Sequence, residues 1–119
     1  MPTDHGFEQL DVWQLARTFC RDLVPVVAKA KDCRDYELSQ QLNAASLSIM
    51  SNIAEGYLRR SRREFAYFLR VAAGSNGEAR TCLYVAADRG YVGAVLAEGL
   101  IETSNRIGQM ISGLLRRLA

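Results

Sequence analysis

The sequence predicts an all-α protein, an antiparallel up-down-up-down four-helix bundle, and three observations carry that prediction. Apolar residues recur at alternating steps of three and four along four stretches of about 20 to 28 residues, the spacing of a buried helix face. Turn-forming residues separate those stretches, at Asp32 to Asp35, from Gly56 to Ser61, and at Gly90. No segment alternates apolar and polar residues with the period of two that a half-buried strand requires. Short connections between long helices favour antiparallel neighbours. With 119 residues, the chain forms one domain, residues 9–119, after a polar tail over residues 1–8 that contains Pro2 and Gly6.

The first helix is expected from Gln9 to Lys31, with Val12, Ala16, Phe19, Leu23, Val26 and Ala30 on its inner face. A second stripe, Trp13, Cys20, Val24 and Val27, runs beside it. Pro25 should kink this helix, because it offers no donor to the carbonyl of Arg21 and crowds it. The second helix, Tyr36 to Glu55, places Leu38, Leu42, Ala45, Ile49 and Ile53 on one face and Leu47, Met50, Ala54 and Tyr57 on another. Two apolar stripes on one helix mark either the centre of a bundle or a subunit interface. Ala44, Ala45, Ser46, Ser48 and Ser51 are small enough for another helix to approach closely.

The third helix should run from Arg62 to Arg89, with Phe65, Phe68 or Leu69, Ala72, Ala79, Leu83 and Ala86 inward. Gly74 and Gly77 each cost about 1 kcal/mol relative to alanine, so a kink or a close helix contact is expected near them. Gly90 ends this helix. The fourth, Val92 to Leu118, repeats the pattern with Leu96, Leu100, Ile107, Ile111, Leu114 and Leu118.

The junction between the second and third helices holds the densest information. Gly56 is able to take the left-handed conformation that closes a helix, and Ser61 with Glu64 three residues later has the spacing of a capping box. Asn52 and Glu55 precede that turn, Glu55 at the right distance to pair with Arg59 and Asn52 able to cap a neighbouring carbonyl, so Asn52, Glu55, Gly56, Ser61 and Glu64 read as bracing. Arg59, Arg60, Arg62 and Arg63 crowd the start of the third helix, which is already electropositive. Farther along, Arg63, Arg70 and Arg80 share one face with Ala66, Ala73 and Gly77, and none has a carboxylate three or four residues away. Either Asp11, Asp22 or Glu102 meets their charge across a helix interface, or phosphates do.

Net charge is +2, but it is unevenly placed. The first 58 residues carry 5 basic and 8 acidic side chains, and the remaining 61 carry 10 and 5. Such halves either pair with each other or leave a basic surface for an anionic partner; thirteen arginines among fifteen basic residues fit the second use. Cys20, Cys33 and Cys82 are odd in number without paired spacing, and the sole histidine, His5, lies in the tail. No metal site, disulfide framework or cofactor is therefore expected. Cys82 reads as a small buried hydrophobe. A nucleophile with an adjacent base is missing too, so the expectation is a protein that is not an enzyme. Tyr57, Tyr67, Tyr84 and Tyr91 read either as core and interface residues or as surfaces for stacked bases. With no basic-then-apolar leader and no apolar run of about 20 residues, a cytoplasmic location and no membrane partner are expected.

Over nearly its whole length the chain resembles the four-helix-bundle family of 23S rRNA intervening-sequence proteins. The likeness begins at Phe7, Leu10, Val12 and Trp13, continues through Gln41-Leu42, Ala44-Ala45 and Ser48-Ile49, and peaks at Asn52-Ile53-Ala54-Glu55-Gly56. Ser61, Glu64-Phe65, Phe68-Leu69, Ala72, Gly74-Ser75 and Glu78 complete it. Three departures stand out: no proline separates the first two helices, Asn43 replaces a commonly basic residue, and Gly77 interrupts a helix that is usually continuous there. The family is similar to accessory proteins of diversity-generating retroelements, which form pentameric barrels and bind nucleic acid with a reverse transcriptase. The resemblance thus implies a homo-oligomer, a pentamer by that likeness. The expected function is a non-enzymatic bundle associating with RNA or DNA through Arg59, Arg60, Arg62, Arg63, Arg70 and Arg80. The alternative is an interaction scaffold whose arginines hold subunits or an acidic protein partner.

Overall fold

A computed structural model describes residues 6–119; the sole histidine, His5, lies outside them. Gly6–Gln9 forms a 3-10 turn, followed by α1 (Asp11–Asp22), α2 (Val24–Asp32), α3 (Tyr36–Leu58), α4 (Arg62–Asp88) and α5 (Ala94–Leu118). The expected first helix is thus α1 and α2 together, interrupted at Leu23 and not at Pro25. Leu23 keeps a right-handed backbone (φ −81°, ψ −13°) and Pro25 sits at the first turn of α2. There its missing N–H leaves no bond unmade, so the interruption falls where proline is tolerated.

The four helical arms pack in an antiparallel ring. The α1–α2 arm lies on α3, α3 on α4, α4 on α5, and α5 back on α1, within an envelope of 45 × 28 × 23 Å. Inward faces follow the expected stripes closely: Val12, Ala16, Phe19, Leu23, Val26 and Ala30 are all buried, as are Leu38, Leu42, Ala45, Ile49 and Ile53. On α4, Leu69 is fully buried and Phe68 only half, which resolves the choice between them.

The fourth stripe needs correction. Leu96 is 52% exposed, while Ala97 and Ser104 are buried with Leu100, Ile107 and Ile111. At this end α2 has followed α3, so α5 turns its small residues toward α4 and leaves Leu96 outward.

Two turns close the same pole of the bundle with the same motif. After α2 the N–H of Asp35 bonds the carbonyl of Ala30 (2.9 Å), and after α4 that of Tyr91 bonds Ala86 (2.9 Å), the reach of a Schellman cap. The left-handed residue is Arg34 (φ 64°) in one and Gly90 (φ 79°) in the other. Asp35 then clasps the turns together. Its Oδ2 accepts from Arg89 Nη1 at 2.6 Å and from the Tyr91 hydroxyl at 3.0 Å, while Oδ1 accepts from the N–H of Leu38.

Gly74 and Gly77 neither break α4 nor admit a neighbour. The helix is continuous through both, and a Cβ at either would have nothing within 4 Å. The close approach is made elsewhere, at Gly56.

Candidate nucleic-acid interface

Gly56 was expected to end its helix with a left-handed backbone; instead it stays inside α3, which continues to Leu58, and it is buried. A Cβ on Gly56 would lie 2.7 Å from Cβ of Phe68 and 3.1 Å from Cδ1 of Phe65. The glycine is there to let α3 and α4 touch, and the left-handed residue is Arg60 (φ 57°). Ser61 then caps α4, its Oγ accepting the N–H of Glu64 at 3.2 Å. Only this half of the capping box forms, because the Glu64 carboxylate turns to Arg59.

The arginine cluster divides by what each guanidinium meets. Arg59 bonds Glu55 at 2.8 Å and Glu64 at 3.2 Å, and lies 5.1 Å from the Phe68 ring centre. The pairing of Glu55 with Arg59 was expected from spacing; the role of Glu64 was not. Arg60 lies 5.9 Å from the Tyr57 ring centre. Arg62 donates to the carbonyl of Arg117 at 2.8 Å, placing a cation at the electronegative end of α5. Antiparallel packing therefore sets a helix C-terminus beside the N-terminus of α4, which offsets part of the crowded positive charge.

Arg63 and Arg70 are exposed and have no hydrogen-bonding or ionic partner among the described residues. Arg63 lines a hollow of about 510 Å³ with Arg59, Ser61, Glu64, Phe68 and the exposed Tyr67. Arg80, half-buried, meets none of the carboxylates proposed for it: its Nε donates to Ser104 Oγ at 2.9 Å. Thus Asp11, Asp22 and Glu102 neutralise none of these three arginines: α1, which carries the two aspartates, packs on α3 and α5 and not on α4, and Glu102 is exposed on α5.

Asn52 braces the junction through its own helix. Its Nδ2 reaches the carbonyl (2.8 Å) and hydroxyl (2.9 Å) of Ser48, which meets Ser75 Oγ of α4 at 2.8 Å. The small residues of α3 thus serve contact within the chain at Ser48, while Ala44 and Ser51 remain exposed. Tyr57 packs edge-on to Phe65 (6.0 Å), Tyr91 belongs to the Asp35 clasp, and Tyr67 and Tyr84 are open to solvent. Cys82 is buried, and that burial, with Glu78 beside it, pushes its thiol pKa up. Sequence reasoning missed Asn76, Ser104 and Arg116, and the clasp of Asp35, Arg89 and Tyr91; each depends on residues brought together from separate helices.

Among the described residues no group of three or more His, Cys, Asp or Glu side chains is placed to hold a metal ion. No helix there is long and apolar enough to cross a membrane.

The family model described as 23S rRNA-intervening sequence protein matches residues 8–113. The chain belongs to that family. A crystal structure of a protein of unknown function from the S23 ribosomal protein family of Bacteroides thetaiotaomicron superposes with a TM-score of 0.82 at 20% identity, over 88% of this chain and 98% of that one. At that identity the likeness speaks for the fold. No curated protein matches the chain. This member of the 23S rRNA-intervening sequence family thus shares its bundle with that solved structure, and the residues that peak in the likeness, Asn52 to Gly56, lie where α3 meets α4.

Proposed function

We propose that the chain acts as a non-enzymatic, homo-oligomeric bundle that associates with RNA or DNA through the outer face of α4. The observation that carries this reading is Arg63: an exposed guanidinium with no acidic partner among the described residues, sharing a hollow with the exposed ring of Tyr67. The one carboxylate there, Glu64, is engaged by Arg59. A cation beside an open aromatic face suits a single strand, holding phosphate by charge and a base by stacking. Arg70 follows two turns on, about 10 Å along the same helix.

Assembly is supported by α3. From Leu38 to Ala54 the sequence has no charged residue, and the outer side of that helix exposes Leu47 and Leu58, each at 55%. A solvated helix face ordinarily carries charge. A pentamer is the copy number that the resemblance to retroelement accessory proteins implies, and in a ring the field of each Arg63 and Arg70 would be multiplied.

The second reading, an interaction scaffold, draws on the apolar residues Leu47 and Val71. Val71 lies one turn before Ser75 and Leu47 adjoins Ser48, so both flank the seam where those serines meet. Fluorescence-anisotropy titration with labelled rRNA fragments and duplex DNA across a salt series, with the solution mass measured, separates the two. The double variant Arg63→Gln, Arg70→Gln should weaken binding and flatten its salt dependence by about one to two units of slope, at unchanged mass and helicity. If native chain binds neither ligand at low salt, or the double variant changes mass and not binding, the scaffold reading replaces this one. Substituting all four junction arginines is a poorer test, because Arg59 and Arg62 hold the junction and the end of α5.

A further inference from the structure

We infer that the groove between α4 and α5 is an oxyanion pocket that takes a phosphate ester, separate from the junction arginines. It is an open groove of about 550 Å³, within the size range of small-ligand sites. Its polar walls come from Asn76 and Arg80 on α4 and from Asn105, Gln109, Ser112 and Arg116 on α5, and no carboxylate lines it.

The floor is a closed hydrogen-bonded unit. Asn76 Nδ2 donates to the carbonyl of Ser104 at 2.9 Å, and Ser104 Oγ donates back to Asn76 Oδ1 at 2.8 Å. Both residues are almost fully buried, at 2% and 0% exposure. Ser104 Oγ also accepts from Arg80 Nε, so the arginine is held by its inner nitrogen and its two Nη groups, four N–H donors, have no protein partner among the described residues. That is how a guanidinium is prepared for an oxyanion, because bidentate recognition uses a fixed fork and loses little freedom on binding. Gly108 keeps the wall low: a Cβ there would sit 3.5 Å from Asn76 Nδ2 and 3.8 Å from Arg80 Nη2.

Arg116, on α5, lines the same hollow and has no partner among the described residues either. Both arginines line the one hollow, so an anion seated there would meet two cations, and the neutral amides of Asn105 and Gln109 with the Ser112 hydroxyl offer hydrogen bonds to whatever the phosphate carries. The groove also stays open under the assembly proposed above. Because α3 packs on α1, α2 and α4 while α5 packs on α1 and α4, α3 and α5 occupy diagonal corners, and a copy seated on α3 does not cover it.

The anion chemistry stands independently of the nucleic-acid reading; only the identification of its source as a strand rests on that reading. The test is a titration of the isotopically labelled full chain, followed by amide NMR, with inorganic phosphate, a nucleoside monophosphate and a short single-stranded oligonucleotide. Expected are saturable shifts at Asn76, Gly108 and Gln109 with the monophosphate, weakened about tenfold by Arg80→Gln and by Arg116→Gln and unchanged by Arg63→Gln with Arg70→Gln. Competition by the oligonucleotide identifies the strand as the source. Saturable monophosphate binding that the oligonucleotide does not displace identifies a free phosphorylated small molecule instead, and overturns the strand assignment alone. Unmoved groove amides with all three ligands, in chain of native helicity, overturn the pocket. So does monophosphate binding that survives Arg116→Gln, a variant at an exposed site that leaves the buried unit intact.

Discussion

Replacing Gly56 with alanine adds one methyl at the tightest point between α3 and α4. It would stand 2.7 Å from Phe68 Cβ, where ordinary carbon contacts begin near 3.5 Å, so the two helices must separate by roughly 0.8 Å. Phe68 cannot yield by rotation, because its Cβ is fixed to the backbone. Overpacking of this kind costs about 1–3 kcal/mol, often near its upper end where backbone must move, and the helix-propensity gain of alanine over glycine returns up to about 1 kcal/mol. A net loss of about 1–2 kcal/mol is expected. The unfolding entropy of a 119-residue chain is on the order of 0.25 kcal/mol/K, so the midpoint should fall by about 4–8 °C. Gly74 and Gly77 supply the control in the same protein. They sit in a helix with nothing within 4 Å of a Cβ, so alanine there should raise the midpoint by up to about 4 °C at each position. Thermal denaturation followed by circular dichroism reads all three, with solution mass checked. If Gly56→Ala melts at or above the native temperature, the close-approach account of Gly56 is wrong.

Three further perturbations follow from the geometry. The Arg89 guanidinium, with Tyr91 and the Leu38 N–H behind it, holds the Asp35 carboxyl below its ordinary 3.8; the folded chain therefore binds that proton less readily than the unfolded one. The clasp's stability is fully present above that ordinary value and is lost as pH falls through the lowered one; Asp35→Asn should destabilise at neutral pH and flatten the acid limb of an unfolding-versus-pH series. Arg34 pays for a left-handed backbone that Gly90 adopts freely at the matching cap, so Arg34→Gly should stabilise by about 0.5–1 kcal/mol in a denaturant melt. Leu47→Asp should reduce the solution mass while leaving helicity unchanged, and an unaltered mass from an oligomeric native chain would remove α3's outer face from the assembly.

Most of the bundle was legible because buried periodicity is a local property: Val12 through Ala30 and Leu38 through Ile53 declare their inner faces by spacing alone. Leu96 misled because spacing specifies a face, while exposure depends on whether a neighbour reaches that turn. The junction misled differently. Gly56 has two physical uses, backbone freedom and small size, and a sequence does not say which is in use; only Phe68, brought against it from the next helix, decides. The arginines were conspicuous from charge, yet their partners were not, since Arg62 answers a carbonyl 55 residues away and Arg80 a hydroxyl on α5.

By itself, then, the sequence determined that this chain is four helical arms and which faces the first two of them bury, because helix formation and amphipathic spacing act over a few residues. The tertiary structure decided which arginines are spoken for and which have no partner among the described residues. Electrostatic and hydrogen-bond partnership is settled at contact distance, and the antiparallel ring sets that distance for residues far apart in the chain.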